Sequence, residues 1–435
     1  MSTPGPDRRT FLQGGAAILG GAALAFGGRA AWDAAAAEPG SAETGSAASG
    51  AASSSGTAGM SGTAGTPGTS TSGSADTAGR AVVPFFGEQQ AGVATPPPAF
   101  ASLVAFDLVA GADRDALVRL MRIWTDDIGR LTAGEPGLGD TEPELATVPA
   151  SLTVTIGYGP GVFTAADLEI ERPVWLAPLP PLGIDRLEDA WSGGDLLVQI
   201  CADDDLTVAH ATRVLARQAR TFTTVRWVQR GFRRSPGTTA PGTTMRNLMG
   251  QVDGSRNLVP GTDDALIWHD DSAPSWLAGG TGMVVRRIAM DLDTWDVLDR
   301  SGREITIGRR LSDGAPLTGT AELDEPDLDA VNDLGFPMID TVAHIRRARS
   351  ASTSERFLRR GYNYDDPPVT GKLSNSGLVF VTFQRDITAQ FVPIARRLDE
   401  LDLLNRWTTP IGSAVFVVPG GCREGEFIGQ RLLTV

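Results

Sequence analysis

Cysteine and histidine are both scarce in this chain, and their scarcity narrows the chemistry. Two cysteines, Cys201 and Cys422, stand far apart in 435 residues, and no CxxC pair occurs. That argues against a thiolate zinc site. Export would permit a disulfide between them, and two buried free thiols fit equally well. The three histidines are His210, His269 and His344; none lies within four residues of another, so HExxH and similar metal helices are absent. An imidazole-held metal must use one of these three. Positive charge is also short: 38 Lys and Arg face 52 Asp and Glu, for a net charge of -14. Nearly all of the acidic excess falls beyond residue 80. An acidic surface repels phosphates and anionic lipid, which argues against a nucleic-acid partner.

Long apolar runs are missing too. The strongest stretch, Gly14 to Gly28, is rich in Gly and Ala and weakly hydrophobic. It is short of the roughly twenty residues that span a bilayer. Arg8 and Arg9 precede it, with Phe11 and Leu12 just beyond. This pattern resembles a twin-arginine export signal; an ordinary secretory signal or an uncleaved anchor is the alternative. We read residues 1–37 as the signal, with small residues at Ala34 to Ala37 suiting cleavage, and expect a periplasmic, extracellular or cell-surface location. Residues 38–81 are almost wholly Gly, Ala, Ser and Thr. Such a segment buries too little surface to offset chain entropy, so a disordered linker is expected.

Beyond it the patterning turns globular. Ser102 to Val109 alternates as a strand, and Asp113 to Leu131 has helical spacing, with Leu117, Leu120, Ile123 and Trp124 on one face. Strand signals follow at 152–158 and 196–201, a helix at 205–220 and a strand at 224–229. This β-α-β-β-α-β order is the ferredoxin-like split pattern. The second half repeats it less clearly: a strand at 282–290, a helix beginning over 294–300, a strand at 377–383, a helix at 390–404 and a strand at 414–418. We expect an α+β fold of two ferredoxin-like halves, 82–240 and 241–435, with antiparallel sheets.

Three segments carry candidate chemistry. Gly250-Gln251-Val252-Asp253-Gly254 places an acid between glycines, whose backbone freedom permits close approach to a bound group, although GxxDG is also a common surface turn. His344 precedes Ile345-Arg346-Arg347 and alone reads as a surface or capping histidine. Arg359 and Arg360 follow an apolar pair and alone read as a solvated turn. Together, an acid, an arginine and a histidine ligand are the minimal equipment for splitting hydrogen peroxide on haem iron. The imidazole holds iron, the carboxylate relays a proton, and the permanently charged guanidinium stabilises negative charge as the O–O bond breaks.

With these segments in place the chain resembles the dye-decolourising (DyP-type) peroxidase family, specifically its exported twin-arginine deferrochelatase/peroxidase members. The resemblance runs through Pro84–Gly92, Leu152–Gly161, Gly193–Asp204, Asn247–Gly254, Trp276–Thr281, Ile307–Arg310 and Gly412–Pro419, in the family's order. It departs at Gln89, at Gln251-Val252 and at Thr408-Thr409-Pro410. The resemblance implies a dimeric α+β barrel type of fold and one haem b per chain. It makes Asp253 the distal acid-base group, His344 the proximal iron ligand and Arg359 the distal arginine. Arg360 is second for that role because the doublet leaves a one-residue ambiguity. Asp386 would be the carboxylate bonded to the proximal histidine. Tyr362, Tyr364, Trp276 and Trp407 are either packing aromatics or electron carriers. The implied activity is reduction of hydrogen peroxide with oxidation of dyes, phenols or similar one-electron donors, by a homo-oligomer. The alternative is release of iron from haem, with iron-uptake components as partners.

Overall fold

Strict alternation of side chains decides this architecture. The computed structural model describes residues 79–434; the expected signal (1–37) and all but the end of the expected linker (38–81) lie outside the described residues. The first half contributes β1 (Phe100–Leu108), β2 (Thr153–Tyr158), β3 (Leu196–Ala202) and β4 (Thr223–Phe232). The second contributes β5 (Thr281–Met290), β6 (Leu358–Arg359), β7 (Tyr362–Asp365), β8 (Ser376–Gln384) and β9 (Thr408–Val418). All pairings are antiparallel.

Each half has the ferredoxin-like order. The first runs β4-β1-β3-β2 and the second β9-β5-β8-β7, with β6 continuing the row of β7 along β8. Because β5 pairs with both β8 and β9, the sheet closes on itself and leaves no long free edge. The two seams between halves are thin. One joins Tyr158 to Val417 and the other Phe232 to Asn363. The buried Gln90 side chain reinforces the first: its Nε2 donates to Ile156 O and Pro419 O, and its Oε1 accepts from Ile156 N.

Period-two alternation divides the core into layers. Leu103, Leu197, Met283, Val379, Val381, Phe383 and Phe416 point into the barrel. Their neighbours Val104, Val198, Val284 and Val417 point outward into a second cluster, beneath the helices Arg114–Thr132 and Asp205–Ala219. Both helices begin at aspartate caps. Asp113 accepts from Ala116 N at 2.8 Å and Asp204 from Thr207 N at 2.9 Å, satisfying amides that a helix start leaves orphaned. Ile123 is not on the buried face of the first helix; Met121 and Ile128 join Leu117, Leu120 and Trp124 there instead. A third cluster, around Met249, Met290, Trp295, Ile307 and Leu378, covers the outer face of the second half.

Two helix expectations shift. The segment at 294–300 is a turn, Leu292–Trp295, followed by a separate helix, Arg300–Ile307, because Asp299 caps Gly302 N at 2.6 Å and restarts the chain. The helix expected at 390–404 is a π turn, Ile387–Phe391, leading into Val392–Leu401. Cys201 and Cys422 are both free and buried, in different clusters.

Candidate active site

The Asp253 turn is built by its own backbone. Gly250 sits at φ +83° and Gly254 at φ +130°, a region that L side chains rarely adopt. Asn247 closes the loop: its Oδ1 accepts from Met249 N and Gln251 N at 3.1 and 3.2 Å. Its Nδ2 donates to Asp253 Oδ2 at 3.3 Å. Trp295 Nε1 ties the same loop to the apolar cluster by donating to Met249 O at 3.1 Å. Asp253 is thereby half-buried and fixed, which a mobile surface turn would not achieve.

Arg359 reaches this aspartate from β6. Its Nη1 lies 3.7 Å from Asp253 Oδ1. Its backbone is clamped by Asn257, whose Oδ1 accepts from Arg359 N and whose Nδ2 donates to Arg359 O, both at 2.8 Å. The Asn257 clamp was not visible in the sequence; an asparagine in Ser255-Arg256-Asn257 carries no motif.

Alternation resolves the arginine doublet. Leu358, Tyr362 and Tyr364 point into the barrel, so Arg360 does too, while Arg359 points out toward Asp253. Arg360 N donates to Val381 O at 2.8 Å, next to an inward-facing residue. The Arg360 side chain is 2% exposed and gives Nη1 to Thr95 O. It does not join Asp253, so the second-ranked assignment of Arg360 as distal arginine is set aside.

His344 opens the short helix His344–Arg347. Its Nδ1 is 2.6 Å from Asp402 Oδ2. Asp402 is buried, with its other oxygen accepting from Leu404 N at 3.0 Å. The Val342 carbonyl accepts from Leu403 N at 2.9 Å and holds the two segments together. Burial alone would lower the imidazole pKa; the charge and hydrogen bond of Asp402 outweigh it and raise the value, with Asp253 adding and Arg359 opposing. His344 therefore senses both members of the Asp253–Arg359 pair. Its side chain remains 34% accessible, although that of Asp402 is 3%.

Asp386 is the site residue that the structure corrects. It caps the π turn, its Oδ1 accepting from Ala389 N at 2.9 Å, and makes no contact with His344. The helix Val392–Leu401 intervenes, and ten helical residues carry the chain about 15 Å. The carboxylate that reaches His344 is the one at the far end of that helix. Its signal, an acid in the apolar run Leu401-Asp402-Leu403-Leu404, was present but unremarkable.

These residues fit a flat, iron-bearing macrocycle. With Nδ1 held by Asp402, His344 keeps Nε2 for a metal, and the carboxylate strengthens it as a ligand. Ile345, Phe380, Leu404 and Trp407 pack around the nearby apolar cluster, giving walls for the hydrophobic body of such a group. No group of three or more metal-ligating side chains occurs among the described residues; a single histidine ligand leaves the remaining coordination to the macrocycle itself.

Comparison with known proteins shows the family. The family model described as "Dyp-type peroxidase, N-terminal" matches residues 90–233, and its C-terminal counterpart matches 244–423. A dye-decolorizing peroxidase of Thermobifida fusca is 39% identical over 361 residues, covering 79% of this chain and 83% of that protein. A deferrochelatase of Yersinia pestis is 32% identical over 370 residues, covering 80% and 84% respectively. The crystal structure of a DyP-type peroxidase from Cellulomonas bogoriensis superposes with a TM-score of 0.81 at 62% identity, covering 82% of this chain and 99% of that one. The chain therefore belongs to the Dyp-type peroxidase family.

Proposed function

We propose that this protein is a haem-dependent peroxidase that reduces hydrogen peroxide and oxidises dyes, phenols or similar one-electron donors. The carrying observation is the convergence of two pairs, Asp253 with Arg359 at 3.7 Å and His344 with Asp402 at 2.6 Å. Haem, when bound, supplies the redox centre at which the O–O bond is split. His344 would hold it through Nε2, with Asp402 on Nδ1 fixing the ring orientation. Asp253 takes a proton from peroxide and returns it to the leaving oxygen. Arg359 keeps its charge at every relevant pH and stabilises the negative charge that develops. The test is an absorbance spectrum of the haem-loaded protein before and after peroxide. We expect a peroxide-dependent change that is lost in Asp253→Ala and a ligand-field change in His344→Ala. An unchanged peroxide rate in Asp253→Ala would move the proton relay elsewhere.

The 32% identity to a deferrochelatase supports a second reading. The same pocket would release iron and leave the porphyrin intact, with iron-uptake components as partners. Free protoporphyrin after anaerobic incubation with haem would favour it; intact haem would favour the peroxidase. The Arg8-Arg9 pair supports export by the twin-arginine route. Replacing both by lysine should then abolish appearance of the protein outside the cytoplasm. The likeness to its family supports a homo-oligomer, which light scattering would test.

A further inference from the structure

Between Arg310 and His344 the chain carries eight acids and no Lys, Arg or His. The first part of this segment is gripped by arginines at its root. Arg309 and Arg310 donate to the carbonyls of Glu322 and Gly319 at 2.8 and 2.9 Å, and Arg256 and Arg349 both pair with Glu325. The second part stands away from the body as a hairpin. Val331 bridges Pro337, Met338 N donates to Ala330 O at 2.9 Å, and Asn332 N donates to Phe336 O at 2.8 Å. Asn332 Oδ1 accepts from Leu334 N and Phe336 N, both at 3.0 Å, and Gly335 supplies the positive φ at the turn.

This ordered hairpin shows apolar side chains to solvent. Residues 331–338 are all exposed. Leu334 is 80% and Phe336 64% accessible, with Val331 and Met338 exposed beside them. An apolar cluster held in a fixed turn and rimmed by charge marks an interaction surface. The rim is of one sign: among the described residues no cation pairs with Asp327, Asp329, Asp333 or Asp340.

Shape and charge select the occupant. A hairpin tip is convex, whereas small ligands need a concave site. An anionic membrane or nucleic acid is repelled. A second copy meeting the tip about a two-fold axis would set the same aspartates against each other. What remains is a basic protein with an apolar spot on its surface. The root of the hairpin adds a direction. Arg346, in the helix that His344 opens, donates through Nη2 to Leu328 O and, at 2.7 Å, to Ile339 O. Both ends of the hairpin are thus hydrogen-bonded to the helix of the candidate iron ligand.

We propose that the hairpin 329–339 is the docking site of a small basic electron-donor protein, attracted by the aspartates and anchored on Leu334 and Phe336. The donor's reduced metal centre gives up one electron per encounter to the peroxide-oxidised enzyme. Two such electrons and two protons convert one peroxide into two waters. That electron step rests on the peroxidase reading; binding does not.

The probe is cytochrome c, a lysine-rich redox protein, compared with its succinylated form, which keeps the redox centre and reverses the surface charge. Binding to the full-length haem-loaded protein is measured by calorimetry without peroxide, and oxidation of the reduced probe is then followed with peroxide. The native probe should bind, and its affinity should fall about tenfold or more between about 20 mM and about 200 mM salt. The succinylated probe should not bind. Leu334→Ser and Phe336→Ser should each weaken binding about tenfold, as for loss of an apolar anchor, and leave peroxide-driven oxidation of guaiacol unchanged. Asp329→Asn with Asp333→Asn should flatten the salt dependence. Native probe that does not bind, serine variants within twofold of the unaltered affinity, or equal binding of the succinylated probe would overturn the proposal. A dimer in light scattering that Phe336→Ser splits would also overturn it, by giving the tip to a second copy. Guaiacol oxidation without probe binding sinks the docking site alone; probe binding without any peroxide reaction sinks the peroxidase reading and leaves the docking site.

Discussion

Asn257 offers the sharpest test of how the candidate site is held. Its side chain both accepts from Arg359 N and donates to Arg359 O at 2.8 Å. Each such bond contributes about 1 kcal/mol net, so Asn257→Ala should destabilise the fold by about 2 kcal/mol. In a chain of this size that lowers Tm by a few degrees. The larger effect should be kinetic. Arg359 reaches Asp253 at 3.7 Å from a two-residue strand, so releasing its backbone lets the guanidinium drift. A misplacement of about 1 Å can slow a reaction roughly a hundredfold. Asn257→Asp provides the control: a carboxylate still accepts from Arg359 N but cannot donate to Arg359 O. Stopped-flow mixing of haem-loaded protein with peroxide should rank the rates as wild type, then Asn257→Asp, then Asn257→Ala, with the haem spectrum of the resting protein unchanged. A rate in Asn257→Ala within twofold of wild type would refute the clamp, even if the protein melts earlier.

Three further outcomes follow from contacts described above. Asp402→Asn removes the carboxylate at 2.6 Å from His344 Nδ1; the iron of the loaded protein should become easier to reduce, read as a rise in midpoint potential, whereas Asp386→Asn should leave the potential unmoved. Arg360→Met should leave peroxide reactivity within threefold and stabilise the fold by about 1 kcal/mol, since a buried guanidinium without a carboxylate partner is exchanged for an apolar chain of similar length and its repulsion of Arg233 ends; Arg359→Met should lose most peroxide reactivity, and equal losses in the two variants would reverse the assignment. Asp140 is buried against His210 at 2.8 Å. Burial raises its pKa, but hydrogen bonds from Glu142 N and His210, with the nearby positive charges, outweigh this and hold it below the ordinary 3.8. A depressed folded value contributes stability above the unfolded pKa and loses it as pH falls through the folded one. Thermal melts below about pH 4 should therefore drop less for Asp140→Asn than for the unaltered chain.

The parts of this molecule that were legible in the sequence share one property: their cause is local. Alternation over 102–109, 152–158, 196–201 and 377–383 is a direct imprint of strands with one face in the barrel and one beneath a helix. All four reappear in the structure as β1, β2, β3 and β8. The glycines of 250–254 mark a turn that needs positive φ, and the turn is there. What stayed hidden was set by the closed sheet. Arg359 and Arg360 alone read as a solvated turn because the doublet masks the period of two; strands form there because β8 pairs with both β6 and β7, and β7 also meets β4 to complete the ring.

The same distinction explains the acid assigned to the wrong end of a helix. Asp386 and Asp402 both lie at helix-type starts, and both cap a turn amide with Oδ1, to Ala389 N and Leu404 N respectively. In local terms they are equivalent. They differ in what the second oxygen faces, and that depends on which end of Val392–Leu401 abuts the segment carrying His344. The hydrogen bond from Leu403 N to Val342 O fixes the answer. His344 and Asp402, 58 residues apart in sequence, are brought together by that backbone contact and by Arg347, which donates to Arg397 O and Glu400, and the imidazole partner follows from it. The functional pairs here are therefore made by topology: capping gives each aspartate its place on the chain, and closure of the barrel decides which one meets the histidine.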